Sequence, residues 1–212
     1  MKIINFGVLV LLPFLTIYCS GQNDEELVGQ SFEAYKSAIL NDKGEQAVKY
    51  VDSLTIAYYS KLLEIVKYGD SITVDALPIL GKIIVLTVRA QVAKNKIISL
   101  DGKGLFVFAI KNGMISKSSV STLTVGDVAV DSGFAKMQIV HNGKVSPLYL
   151  YFHKEQNQWK VDLTSLFPSF SPIMKKQVSE SGKTENDFCI WTIESTTGIK
   201  TGPEIWKKEI DK

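Results

Sequence analysis

The stretch Phe134-Ala135-Lys136-Met137-Gln138-Ile139-Val140-His141-Asn142-Gly143-Lys144-Val145-Ser146-Pro147-Leu148-Tyr149-Leu150-Tyr151-Phe152-His153 decides the fold. Apolar and polar residues alternate on both sides of Asn142-Gly143, a dipeptide that suits the positive φ angles of a two-residue hairpin turn. With that turn, His141 pairs with Lys144, Ile139 with Ser146 and Met137 with Leu148. After the Gln156-Asn157 turn, a further strand, Gln158 to Leu163, pairs Lys160 with His153 and Asp162 with Tyr151. Alternation then puts Met137, Ile139, Leu148, Leu150, Phe152, Trp159, Val161 and Leu163 on one face of the sheet. The opposite face carries Phe134, Lys136, Gln138, Tyr149, Tyr151, His153, Lys160 and Asp162, polar but rich in aromatic rings.

Upstream, alternation extends to Val120–Val125 and Asp127–Val130, one long or bulged strand broken at Gly126. Before Ser118 the period is helical. Val28, Phe32, Tyr35 and Ile39 mark a first helix from Glu25 to Asn41 that Asp24 can cap, and Glu45 to Val51 forms a second. Asp52 or Ser53 caps a third helix, Leu54 to Tyr68. Asp75 with Pro78 reads as the start of a fourth over Ile79–Val92, although its β-branched residues also suit a strand. The segment Asp101-Gly102-Lys103-Gly104 lacks the spacing of a phosphate-binding loop and reads as the turn that starts a helix to Asn112. Helices first and a strand meander last predict an α+β domain: a helical layer on an antiparallel meander of about four strands.

At the N-terminus, Lys2 precedes an apolar run from Ile3 to Tyr18, then Cys19-Ser20-Gly21 and an acidic segment. That order is the layout of a bacterial export signal. Cleavage before Cys19 would make the cysteine a lipid-bearing residue and the membrane a partner; cleavage after Gly21 would release the chain to the periplasm or beyond. The expected location is thus outside the cytoplasm of a Gram-negative bacterium. Residues 1–21 form the signal region, 22–166 the α+β domain, and 167–212 a helical extension. In the extension, Thr184 can cap a helix from Glu185 to Ser195, and Phe188, Ile190, Trp191, Ile193, Ile205 and Trp206 are expected to dock on the domain.

Lys and Arg total 24 against 22 Asp and Glu, with no lysine cluster among aromatics, so nucleic-acid binding has no support. Arg89, alone among 23 lysines, lies in an apolar stretch where it either grips an anion or caps backbone carbonyls. Cys189 has no partner once Cys19 is processed and reads as a buried small hydrophobe. The two histidines, His141 and His153, fall at opposite ends of the sheet and cannot share a metal or a catalytic centre. No nucleophile-elbow or zinc pattern occurs, and no cofactor is expected. Phe134, Tyr149, Tyr151, His153, Lys160 and Asp162 form the candidate binding face, for a protein partner or for self-association. His153 with Asp162 there allows a carboxylate-oriented base, and a lattice of surface ion pairs is the plainer reading.

Phe32-Glu33-Ala34-Tyr35 and Lys49-Tyr50-Val51, followed by Gly126-Asp127-Val128-Ala129-Val130 and Trp159-Lys160-Val161-Asp162-Leu163, resemble the ketosteroid-isomerase-like (SnoaL-like, nuclear-transport-factor-like) α+β rolls. The closer resemblance is to exported, lipoprotein-type members, and it covers roughly Glu26 to Leu166. It implies a roll with a possible pocket between helices and sheet, and it carries over no functional residue. A helix between Asp75 and Val92 departs from the usual roll and would occupy the space of a ligand. Fold alone assigns no activity. The sequence therefore leads to a non-catalytic envelope protein that binds a protein or a small apolar ligand. A small isomerase- or hydrolase-like roll enzyme and an envelope immunity protein stand beside it as other readings.

Overall fold

The computed structural model describes residues 23–210; the predicted signal region and Cys19 lie outside the described residues. Among the described residues no helix is long and apolar enough to cross a membrane. The chain is an α+β fold, with helices before and after an open four-stranded antiparallel sheet in the order β1-β2-β3-β4. Helix α1 (Asp24–Leu40) is capped by Asn23, one residue before the expected Asp24, because the Asn23 carboxamide accepts the Glu26 N–H. The second helical segment is a short α2 (Gly44–Ala47) that tightens into a 3₁₀ turn over Val48–Tyr50. Asp52 caps α3 (Ser53–Tyr68) through the Thr55 N–H.

Asp75 does not start a helix. It ends the short α4 (Ser71–Asp75), while Pro78 stands at the cap position of α5 (Ile79–Gln91). Freed from capping, the Asp75 carboxylate accepts from Lys82 and from Asn186, and these bonds lower its pKa. The β-branched stretch is a helix because it is enclosed: nine of the residues of α5, from Ile79 to Arg89, are buried. Packing overrides the modest propensity penalty of Ile, Val and Thr. Two short helices, α6 (Lys94–Ser99) and α8 (Lys117–Val120), flank α7 (Gly102–Lys111), which Asp101 caps as the turn reading predicts.

The meander consists of β1 (Leu123–Asp131), β2 (Phe134–His141), β3 (Lys144–Glu155) and β4 (Gln158–Asp162). Asn142 and Gly143 both adopt positive φ, and His141 pairs with Lys144 as expected. Two residues further on the expected register fails: Met137 lies opposite Leu150, not Leu148, and Gln138 opposite Tyr149. The cause is Pro147, which has no N–H for the ladder, so Ser146-Pro147-Leu148 bulges out of it. Because the slip is two residues, side chains keep their faces. The apolar face survives with Ala135, Met137, Ile139, Leu150, Phe152, Trp159 and Val161 buried against the helices. Leu163 leaves the strand and begins a 3₁₀ turn, Leu163–Leu166.

Gly126 sits at a second bulge, between the pairs Val125–Ile139 and Val128–Met137. A Cβ there would lie 2.8 Å from the Gln138 carbonyl oxygen, backbone that cannot swing aside. We expect Gly126→Ala to lower stability by about 2 kcal/mol in denaturant unfolding, as overpacking does elsewhere; an unchanged midpoint would contradict this geometry.

The C-terminal part holds α9 (Phe167–Ser181) and α10 (Glu185–Thr197), with Thr184 capping the latter. Phe188, Cys189, Ile193 and Ile205 are buried, whereas Trp191 is 50% exposed and does not dock. Burial pushes the Cys189 thiol up to about 11, which makes it an inert core residue. Lys82, enclosed on α5, donates to Glu185 at 2.7 Å and so ties the start of α10 to α5.

Candidate functional site

Of the six residues expected to form a binding face, Phe134, Tyr149, Tyr151, His153 and Lys160 are at least partly exposed on the sheet, and Asp162 is buried. Phe134, 38% exposed, packs its ring 5.3 Å from Tyr151 and 5.7 Å from His153. Lys136 Nζ lies 4.0 Å above the Tyr149 ring. Lys160 is half-buried, 3.5 Å from Glu155, and Glu155 also accepts the Ser53 N–H. Asp162 is not on the surface: it is buried and accepts both the N–H and the hydroxyl of Thr164, which fixes the turn after β4. His153 Nδ1 is 2.9 Å from Asp52, a carboxylate at zero exposure that sequence reasoning had treated only as a cap.

Asp52, His153 and Asp162 offer ligand atoms all within 4.8 Å of one another. Each of them also makes hydrogen bonds within the protein. One Asp52 oxygen caps α3 and the other meets His153, while Asp162 holds Thr164. The cluster anchors three elements at the far end of the sheet, where Val51 also bridges to Val161 on the open edge of β4. His141, at the β2–β3 turn, is at the other end from His153, which pairs with Phe134.

Arg89 resolves as a carbonyl cap. Its Nε donates to Val66, Nη1 to Ile205, and Nη2 to Ile65 and Gly69, at 2.6–3.1 Å. A guanidinium fork placed this way bonds the carbonyls that end α3, of which Ile65 also accepts the Gly69 N–H, and holds the C-terminal segment to them.

The larger feature lies on the opposite side of the sheet. Between the helices and the apolar sheet face is a cavity of about 1070 Å³, at the top of the ~300–1,000 Å³ range of small-molecule sites. One wall is an edge of α5 (Leu80, Ile83, Ile84, Thr87, Gln91), and its spacing is that of a single helical face. Leu80 to Gln91 covers roughly 16 Å at about 1.5 Å per residue. So α5 does not plug the space, as the resemblance implied; it lines it. Ile139, Leu148 and Leu150 form the sheet wall, Phe167, Phe170 and Met174 of α9 a third, and Phe32, Tyr35 and Tyr59 the far wall.

The lining is apolar in effect as well as in count. The hydroxyls of Thr87, Thr192, Thr196 and Thr197 donate to carbonyls of their own helices. Burial raises the pKa values of Tyr35 and Tyr59, so both phenols stay neutral. Among the described residues no Asp or Glu lines the cavity, so they bring together no carboxylate base there. Gln91 Oε1 is the unmatched buried side-chain polar atom among the described residues. The Pro147 bulge contributes Ser146 and Leu148 to the lining. In the sequence, Pro147 interrupting a strand was the one signal that could have pointed to an opening there.

Set against known families, curated proteins and solved structures, the chain matches none of them. The site therefore has to be read from its own chemistry.

Proposed function

We propose that this is a non-catalytic binding protein of the bacterial cell envelope that holds a small apolar ligand between its helices and its sheet. The observation that carries the reading is the cavity of about 1070 Å³ with a mainly apolar lining, to which no acidic residue contributes among the described residues. Apolar surface in contact with water is unfavourable by about 25 cal/mol per Å², so a cavity of this size gains most from an apolar occupant. The export layout of Met1–Asp24 supports an envelope location, with Cys19 as the residue to carry lipid. The resemblance to exported α+β rolls agrees with both parts. An enzyme of the isomerase or hydrolase kind gains no support from the lining, which offers neither a carboxylate nor a histidine away from the hairpin tip.

The test is native mass spectrometry of the full chain produced in a Gram-negative host. We expect a non-covalent adduct of a lipid-sized molecule that disappears on denaturation. A spectrum of ligand-free protein alone, from every extraction condition, would count against the reading. The denatured mass of protein from the membrane fraction checks the anchor in the same experiment. Acyl mass on a chain beginning at Cys19 supports it, and a chain beginning after Gly21 removes it.

A further inference from the structure

The formal charge of the cavity lining is one-sided, and this bears on what it holds. Of the described residues that line it, Lys144 is the only one with a formal charge at neutral pH, and the only lining histidine among them, His141, is its partner across the hairpin turn. Both are exposed, as is Asn142 between them. The neighbouring Val145 is 68% exposed and Phe170, on α9, 39% exposed, yet both also line the cavity. Side chains that face both solvent and cavity mark its mouth. The mouth therefore runs past the β2–β3 tip and α9, and the exposed lining residues Asn112, Ser119 and Thr196 carry it on toward the ends of α7 and α10. It joins apolar rims to a single cation, and Lys144 has no ion pair among the described residues.

We infer that the ligand is a long-chain amphiphile with one anionic head, its chain in the cavity and its carboxylate or phosphate at Lys144. This rests on the cavity being a ligand site. An uncharged chain alcohol would fill the interior equally well but leave the ammonium without a partner, and a cationic amphiphile would be repelled by it. Three N–H donors on a flexible stem suit either head, since Lys acts as a point charge and imposes no planar geometry. Asn142 adds an amide donor beside it. The pairing is at a wet rim, so its effect is modest, about fivefold in affinity, while the apolar interior supplies the rest.

The experiment uses the full chain and a neutral reporter, N-phenyl-1-naphthylamine, displaced by hexadecanoate, hexadecyl phosphate, hexadecanol or hexadecyltrimethylammonium below their aggregation concentrations. We expect at least one anion to displace the reporter at about fivefold lower concentration than hexadecanol, with the cation weakest. Whichever anion is stronger identifies the head. Lys144→Glu should erase or invert that preference, read as the ratio of anion to hexadecanol displacement within the variant. Equal displacement by anions and alcohol in the unaltered chain would overturn the inference, and so would a Lys144→Glu variant that shifts all four competitors alike. Failure of the reporter to bind at all is a different result, and removes the cavity as a ligand site.

Discussion

Replacing Arg89 with alanine is expected to lower stability by about 4 kcal/mol, a fall of roughly 10 °C in Tm for a chain of this size. The reason is what the guanidinium leaves behind. Of the four carbonyls it bonds, those of Val66, Gly69 and Ile205 lose the donor it supplies, while Ile65 keeps the Gly69 N–H. Val66 and Gly69 stand at the end of α3, where helix geometry supplies no partner. Each buried carbonyl left unmatched costs about 1–3 kcal/mol, and partial access of water keeps the sum below the full product. Arg89→Lys should recover less than half, because one ammonium cannot span acceptors that a planar fork reaches together. Denaturant unfolding of the two variants checks this. A loss under about 1 kcal/mol for Arg89→Ala would mean that water replaces the guanidinium freely.

Placing a charge in the cavity wall should have the largest effect on binding. Ile83 lies on the edge of α5 that faces the cavity and is only half-buried, so Ile83→Glu leaves a carboxylate that water can reach when the cavity is empty. An apolar occupant strips that water away. The cost of desolvating an unpaired carboxylate should then weaken reporter binding by about thirtyfold or more, while unfolding changes by less than about 1 kcal/mol. Ile173→Glu is the control, since Ile173 is exposed on α9 and does not line the cavity. It should bind as the unaltered chain does. Equal weakening by both variants would indicate general loosening instead of a local site.

The sequence and the fold agree where local chemistry decides, and part where packing does. Asn142-Gly143 placed the hairpin, Gly126 the bulge in β1, and Asp52, Asp101 and Thr184 their helices, because each is a residue whose own side chain or φ preference makes the turn or cap. The β2–β3 register went wrong by two residues at Pro147, since a ladder cannot continue through a missing donor and the size of the resulting bulge depends on what it packs against. Within the helical extension the sequence delimited only the helix from Glu185, because two prolines, Pro168 and Pro172, punctuate the segment that is α9. Pro168 falls in the first turn, where its missing N–H costs nothing, and the helix carries Pro172 inside it. Asp75 resembled a cap but serves as an acceptor for Lys82 and Asn186 across the fold.

The candidate site was legible least of all. Periodicity identifies which faces turn inward, not whether two inward faces meet, and a cavity is the place where they do not. Thus Ile83, Thr87 and Leu148 looked like ordinary inward residues. Phe134, Tyr149 and Tyr151 drew attention because aromatic rings on a polar face stand out in a sequence. Asp162 was assigned outward by alternation, but β4 ends at that residue and the chain folds over it.

The central claim is that the space between helices and sheet receives an apolar molecule. The most direct test is titration of N-phenyl-1-naphthylamine into the unaltered chain, followed by its fluorescence. The account predicts saturable, one-to-one binding that Ile83→Glu largely abolishes. A fluorescence rise that never saturates, or one that Ile83→Glu leaves unchanged, would contradict it.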